Sequence, residues 1–438
     1  MRKKKNAFTL IELLAVIVIL AVILVIAIPR ILDVIETSKK DSFKNSAQLI
    51  ADSAEKKKVS DKLLGKDEEI TCKDVAKIND EDYKSCIISF DSEGNAKVNI
   101  TGNGKFKGLK ITNGTKENAE VKELTKPTYG MKAVEYITNL LEYDGEGLKI
   151  DNTSDENIRY YGATPNNYVR FNNELWRIIG VFGNNVKLVR KDSLGKLSWD
   201  SSEESINYGW GINQWGESTY TDGSTYEGAD LMLYLNKMYY KGETVTCYGG
   251  TNNSKKTCPT GSLNEESKTL IDNHTWNTGA INRDDVYNST TSSFNTLEFY
   301  KAERGSVHGK SSCSSGNQCN DTIIRTTEWT GYIGLPYITD WAYASSESDC
   351  ETNIDNSSTK KCKNNNWMQR SDNTWYLSPV AHSRGAYNAW RVHGGGEVDI
   401  RNASYDYGVA PAIYLKSNVL IESGNGREDA PYKLKADE

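Results

Sequence analysis

The sequence predicts an α+β protein in which a long N-terminal transmembrane helix packs on a small antiparallel sheet and precedes a loop-rich α+β C-terminal domain. Three observations support this fold class. An apolar run fills residues 8–28, period-two alternation follows at residues 85–111, and all ten Trp lie between Trp176 and Trp390. Because alternation and helical periodicity indicate different elements, we expect the two parts of the chain to have separate cores.

The first element is an apolar helix over residues 8–28. At 1.5 Å per residue it extends about 31 Å, which matches the hydrocarbon core of a bilayer. Four basic residues precede the run, and the next one is Arg30. This charge asymmetry predicts a cytoplasmic N-terminus and an exterior location for the rest of the chain. The run continues past the length of a secretory signal into a charged helix, so we expect it to be retained.

One carboxylate, Glu12, interrupts this run at a cost of several kcal/mol unless it is partnered. The string KKKNAFTLIEL at residues 3–13 resembles the processing site of type IV prepilins and pseudopilins. That resemblance implies that a membrane peptidase cuts between Ala7 and Phe8 and methylates the new amino terminus of Phe8. It also implies that this ammonium pairs with Glu12 of a neighbouring subunit. The family usually has Gly at the position of Ala7.

Residues 8–64 are predicted to form one long helix. The resemblance implies a kink or local melting at Pro29, where an uninterrupted helix would lose about 3 kcal/mol. Gly65 is suited to end the helix after Leu64. Beyond Pro29 a helical stripe is predicted to pack on the globular part, and its members are Phe43, Ala47, Ile50 and Ala54.

Residues 65–112 are predicted to be an antiparallel β head, and residues 113–128 a polar linker. The alternation at residues 85–111 predicts three short strands joined by Gly- and Asn-containing turns. The remaining residues, 129–438, form the predicted display domain. Within it we expect a helix at 131–141, a three-strand meander over 168–190 and one amphipathic helix over 231–238.

The eight Cys fall into four neighbouring couples. An even count at short spacing in an exported chain favours local disulfides over unpaired thiols, although spacing alone does not give the connectivity. We expect no metal site, because the chain has neither C-x2-C nor H-E-x-x-H. The net charge of -6 argues against nucleic-acid binding. The four couples are Cys72 with Cys86, Cys247 with Cys258, Cys313 with Cys319, and Cys350 with Cys362.

Three strings near the C-terminus, WYLSP at 375–379, AWRVHGGG at 389–396 and YGVAPAIYL at 407–415, resemble Trp-rich domains of Gram-positive surface proteins. Those domains are distantly similar to the fold of C-type lectins and formylglycine-generating enzymes. Related sequences tend to have Arg where Ala410 stands. The resemblance implies a loop-rich α+β fold for this domain.

Binding is a stronger expectation for this domain than catalysis. His382 and His393 with Glu397 or Asp399 have no spacing typical of a catalytic site, and formylglycine-generating chemistry needs a free thiol. We therefore expect neither an enzyme nor a cofactor.

Most Trp are expected in the core, but Trp210 and Trp215 lie in a WG-rich loop and are the candidate ligand-binding residues. The acidic run at 151–155 is interpreted as a solvated turn rather than a calcium site.

These observations predict a type IV pilin-like subunit that begins as a single-pass membrane precursor and ends in an extracellular filament at the cell surface. Its expected partners are other pilins, the prepilin peptidase and the assembly machinery. The C-terminal domain is expected to bind a host glycan or protein in adhesion. The alternatives are a minor pilin or secretion pseudopilin, and a membrane-anchored surface enzyme.

Overall fold

The described residues of the computed structural model divide into two compact units, with the division between Lys126 and Pro127. The N-terminal unit contains the long apolar helix, and the C-terminal unit contains every Trp. The description covers residues 10–66, 68–78, 81–145, 147–201, 214–220, 225–250, 254–288, 293–305, 323–324, 326–354, 361–381 and 388–437.

The N-terminal unit consists of one long helix, a short helix and an antiparallel sheet with strand order β1-β2-β3-β4. A 3-10 turn, Gly104–Phe106, separates β2 from β3. The elements are α1 (Leu10–Leu63), α2 (Cys72–Val75), β1 (Tyr83–Phe90), β2 (Ala96–Gly102), β3 (Leu109–Gly114) and β4 (Lys122–Glu123).

Helix α1 continues through Pro29 without a break in its helical backbone, so the local melting implied there is absent. A bend at Pro29 stays a prediction. The helix ends one residue before the predicted Leu64. Gly65 has a φ of +68°, and the amide of Lys66 donates to the carbonyl of Asp61 at 2.9 Å. This left-handed glycine stop satisfies carbonyls that the helix end would leave without partners.

Residues 113–128, predicted to be a linker, belong in large part to the N-terminal unit. Strand β4 pairs with β3, which adds a fourth strand to the three that were predicted. Ala119 and Leu124 are buried. The segment is so polar that its two buried apolar residues, Ala119 and Leu124, give no alternating pattern. The pairing of β4 with β3 therefore depends on contacts that the local sequence does not show.

A single buried cluster in this unit contains residues of α1 and of the sheet. The Phe43 and Phe106 rings lie 5.2 Å apart, and the Lys39 ammonium donates to the Lys107 carbonyl at 2.7 Å. Glu55 on α1 accepts from the Ala96 amide at 3.0 Å. The principal members of the cluster are Phe43, Ala47, Ile50, Ala51, Ala54, Ala96, Val98, Ile100, Phe106, Leu109 and Ile111.

The C-terminal unit has six short helices among its described residues. Helix α4 continues directly into a π-helical segment, Tyr234–Tyr240, and a 3-10 turn covers Ser348–Glu351. The helices are α3 (Ala133–Tyr143), α4 (Asp230–Leu233), α5 (Glu265–Leu270), α6 (Arg283–Val286), α7 (Thr296–Glu303) and α8 (Ile338–Tyr343).

The strands of this unit are also short. They are β5 (Leu148–Ile150), β6 (Ile158–Tyr160), β7 (Tyr168–Phe171), β8 (Glu174–Phe182), β9 (Asn185–Arg190), β10 (Lys196–Ser198), β11 (Ser218–Tyr220), β12 (Thr225–Tyr226), β13 (Cys247–Gly249), β14 (Ser254–Lys256), β15 (His274–Asn277), β16 (Tyr287–Asn288), β17 (Ser293–Asn295), β18 (Ile323–Ile324), β19 (Glu328–Gly331), β20 (Ile333–Gly334), β21 (Asn353–Ile354), β22 (Thr374–Pro379), β23 (Asn388–Val392), β24 (Val398–Asn402), β25 (Asp406–Gly408), β26 (Ala412–Tyr414), β27 (Val419–Ser423) and β28 (Tyr432–Ala436).

Two sheets organise the C-terminal unit. The larger has strand order β20-β26-β9-β8-β7-β28-β27, with β6 joining β8 and β5 joining β6. Its centre is the meander expected over residues 168–190, in which β8 pairs antiparallel with β7 and β9. The second sheet has the order β10-β25-β22-β23-β24. In both sheets one pair, β28 with β7 and β22 with β25, is parallel.

Tryptophan fills the core of this unit, as expected for most of the ten. The indole of Trp199 donates to the Tyr376 carbonyl at 3.0 Å, and that of Trp375 donates to Leu197 at 3.0 Å. Such bonds remove the cost of burying the N–H group. The fully buried Trp are Trp176, Trp199, Trp215, Trp276, Trp341, Trp375 and Trp390.

Replacing Ile50 by Ala should destabilise the N-terminal unit by about 2–4 kcal/mol, because Ile50 is 2% exposed and its loss leaves a cavity. Its neighbour Leu49 is 65% exposed, so Leu49→Ala should cost under about 0.5 kcal/mol. Hydrogen exchange of β2 amides in the detergent-solubilised chain measures both costs. Equal exchange in the two variants would contradict the assignment of Ile50 to the core.

Candidate functional site

The first half of α1 presents an apolar surface on every side. The large apolar side chains described between Leu10 and Ile35 are each close to half exposed or more, and Leu10 is 87% exposed. A helix that is apolar all round is covered either by lipid or by other apolar helices. This helix is long and apolar enough to cross a membrane.

The predicted processing residues lie at the start of this segment. Ala7 and Phe8 fall outside the described residues, and so does the side chain of Glu12, although its backbone is part of α1. Cleavage, methylation and pairing through Glu12 therefore stay predictions. The structure describes the helix that follows them.

Residues 2–28 match the family model described as the prokaryotic N-terminal methylation motif. This motif indicates a type IV pilin-family substrate. The motif and the apolar helix together fit a membrane-anchored precursor. No curated protein and no solved structure matches the chain at a significant level. The motif covers the processing site and the first part of α1, and it carries no information about the C-terminal unit.

Disulfides close three of the four neighbouring Cys couples. The sulfur pairs are Cys72–Cys86 in the N-terminal unit and Cys247–Cys258 and Cys350–Cys362 in the C-terminal unit. Cys313 and Cys319 lie outside the described residues. Each bridge closes a loop of 11 to 14 residues, which chain-entropy arguments value at about 3 kcal/mol.

The interpretation of Trp215 as an exposed ligand-binding side chain is wrong. Trp215 is 0% exposed, and its ring lies 5.5 Å from that of Trp199 and 6.3 Å from that of Trp329. The WG-rich composition suggested an open loop, but long-range packing places this indole inside the core. The other candidate, Trp210, lies outside the described residues.

The candidate catalytic groups do not form an acid-base pair where the structure describes them. The Nδ1 atom of His393 accepts from the Gly395 amide at 2.8 Å. Asp399 instead forms a bidentate pair with Arg391, at 2.7 and 3.1 Å. His382 lies outside the described part. Within that part, no group of three or more His, Cys, Asp or Glu is arranged to hold a metal ion.

Sequence reasoning missed a buried ion cluster in the C-terminal unit. Arg159 donates to Asp151 at 2.8 Å and to Asp340 at 2.5 Å, and the Lys187 ammonium reaches the other oxygen of Asp340 at 2.6 Å. All four side chains are at most 1% exposed. Asp151 is therefore part of the core rather than of a solvated turn. The two cations and two carboxylates balance in charge, which burial requires.

One sequence signal pointed to this cluster. Lys187 stands in an otherwise apolar run of β9, and Arg159 stands between Ile158 and Tyr160. A charged residue inside a short apolar strand either lies at an exposed edge of the sheet or is buried with an oppositely charged partner. The partner Asp340 is 153 residues from Lys187, so the sequence does not distinguish the two cases.

The environment shifts the pKa values of this region. Burial lowers the pKa of Lys187 to about 8, although Asp340 opposes that shift. Burial opposes ionisation of Asp340, yet Lys187 and Arg159 hold the pKa of its carboxyl below the ordinary range. Nearby Glu303 accepts from the Thr339 hydroxyl at 2.5 Å, and burial raises its pKa to about 7.

Glu303→Gln should remove a pH dependence of stability. Because the folded-state pKa is raised above the ordinary 4.5 to about 7, the Glu303 contribution is complete below pH 4.5 and is lost as pH rises through 7. The unfolding free energy of wild type minus that of the variant should fall by about 3 kcal/mol across this window. Denaturant unfolding followed by Trp fluorescence reports the unfolding of the C-terminal unit, because every Trp lies there. If the difference between the two unfolding free energies did not vary with pH, the raised pKa of Glu303 would be contradicted.

Proposed function

We propose that this chain is a subunit of an extracellular type IV pilus-like filament, processed between Ala7 and Phe8 and methylated at Phe8. The observation that carries the proposal is the exposed apolar surface of α1, which begins within the methylation motif and continues past its end to Ile35. This surface would lie in the bilayer before assembly. In the filament it would pack against the same helix of neighbouring subunits, so that one segment serves both states.

In this proposal the sheet of the N-terminal unit, together with the part of α1 that it covers, is a pilin head. Its support is the shared cluster in which the second half of α1 and strands β2 and β3 bury one another. The helix is thus amphipathic only where the sheet covers it. This division leaves the first half free to join a filament core while the second half stays fixed to its own head.

Glu12 would join the subunits. A lone carboxylate in an apolar core is costly, and a partner cation on a neighbouring subunit offsets the cost for both groups. The new ammonium of Phe8 would supply that cation after cleavage. Since the pair forms only between correctly staggered helices, it would also set the register of assembly.

Glu12→Val should leave membrane insertion and processing intact while sharply reducing incorporation into filaments. Mass spectrometry should show an N-methyl-Phe8 terminus in both proteins, and immunoblots of sheared filaments should show the loss. Glu36→Val, the same substitution in the solvent-exposed part of α1, should assemble normally.

Normal assembly of Glu12→Val beside wild type would contradict the pairing. The abundance of the wild-type subunit in the same filaments distinguishes a major pilin from the alternatives. A scarce subunit would identify a minor pilin or a secretion pseudopilin.

The C-terminal unit would be displayed for adhesion and would not act as an enzyme. In support, the described candidate base, His393, is bonded to a backbone amide and Asp399 is paired with Arg391. The described part of the unit has two large sheets and two disulfides, properties that suit a rigid carrier of binding loops. The proposed fold relationship to C-type lectins rests on the three C-terminal strings.

Filaments that contain this subunit should bind a surface glycan or matrix protein, whereas filaments lacking residues 129–438 should not. A glycan and matrix-protein array probed with both preparations measures the difference. Equal absence of binding would favour a structural spacer role for the C-terminal unit. Binding that survives the truncation would locate adhesion in another subunit.

A further inference from the structure

Lys187 and Asp340 are held together more closely than most ion pairs and without access to water. Lys187 lies on β9 at the centre of the larger sheet, and Asp340 lies in the first turn of α8. The Lys187 Nζ atom is 2.6 Å from Oδ2 of Asp340, and both side chains are 0% exposed. The two residues are 153 positions apart in the chain.

Aromatic rings surround the ammonium. Its nitrogen lies 3.9 Å from the ring centroid of Tyr337 and 5.3 Å from those of Trp276 and Tyr414, with Phe182 at 5.5 Å. Burial disfavours separated charges, so proton transfer from the ammonium to the carboxylate is less costly than in water, although the ring faces themselves attract the cation. Burial lowers the pKa of Lys187 to about 8, which favours the transfer, whereas Arg159 helps to hold the pKa of the Asp340 carboxyl below its ordinary range, which opposes it.

We propose that Lys187 and Asp340 condense in the folded protein to form an intramolecular isopeptide bond. The reaction needs no further reagent. The ammonium gives one proton to Oδ2, and the neutral amine then attacks Cγ. A second N–H proton passes to Oδ2, the Cγ–Oδ2 bond breaks, and that oxygen leaves as water. One N–C bond forms, one C–O bond breaks, and no atom is oxidised or reduced.

Neighbouring groups favour this reaction. Arg159 donates to Oδ1 of Asp340 at 2.5 Å, where it would stabilise the oxyanion of the tetrahedral intermediate. The Tyr337 amide donates to Oδ2 at 2.9 Å and fixes the orientation of the carboxyl group. Packing on two separate elements holds the reacting groups in place, which is the main source of rate in intramolecular condensation.

The cluster stays balanced in charge after the bond forms. Condensation removes one cation and one anion, and the remaining Arg159 keeps its contact with Asp151 at 2.8 Å. The product therefore contains one buried cation and one buried anion where the reactants contain two of each, which lowers the desolvation cost. An amide would also lock β9 to α8. In a filament subunit, a role that rests on the proposed function, this bond would resist unfolding under tension.

Mass spectrometry of the full-length chain tests the bond. After reduction, alkylation and proteolysis, the peptide containing Lys187 should be joined to the peptide containing Asp340, at a mass one water below their sum. Lys191 and Glu428 form an equally close pair that is partly open to solvent, which serves as an internal control. Their peptides should be recovered separately.

Recovery of the Lys187 and Asp340 peptides only as separate linear species would overturn the proposal. The variant Lys187→Arg keeps the positive charge and should have its full calculated mass. If it still lacked one water, the assignment to Lys187 would be wrong. Either result is independent of the proposed function, which is read from the mature N-terminus and from filament incorporation.

Discussion

The uncovered apolar surface on the first half of α1 is the constraint on which the rest of the structure depends. Large apolar side chains that lie open on every side of a helix cannot remain in water, so a bilayer or neighbouring helices must cover them. The second half of the same helix buries a stripe of apolar side chains. Phe43, Ala47 and Ile50 face their own sheet, and this permits one helix to serve two environments.

Both units contain charged residues within apolar stretches of sequence. Glu12 stands in an apolar segment where the sequence supplies no second ionisable group before Arg30. Under the proposed function its partner would come from a neighbouring subunit. Asp340 pairs with Lys187 and Arg159 of its own chain, and Asp151 completes a neutral cluster. The desolvation cost of an unpaired charge favours pairing in apolar surroundings. In the C-terminal unit that pairing joins distant parts of one core.

The C-terminal unit combines short elements with large aromatic side chains. Most of its strands have three to six residues, so few of them contribute a long apolar stripe. Indoles such as Trp199 and Trp375 fill the space between the elements and donate to carbonyls of distant strands. Disulfides close two of its short loops. The outcome is a core in which large aromatic side chains fill the space between short elements.

Local patterns determined much of this protein in advance. The apolar run, the Glu12 motif, the meander at residues 168–190 and the neighbouring Cys couples all lie within short stretches, where periodicity, spacing and motif resemblance are informative. The tertiary structure alone decided that Trp215 is buried, that residues 122–123 form a fourth strand, and that Asp151 and Asp340 meet Arg159. These features depend on contacts between residues far apart in the chain. Which distant residue each of these side chains meets is a property of the assembled core, and no local pattern encodes it.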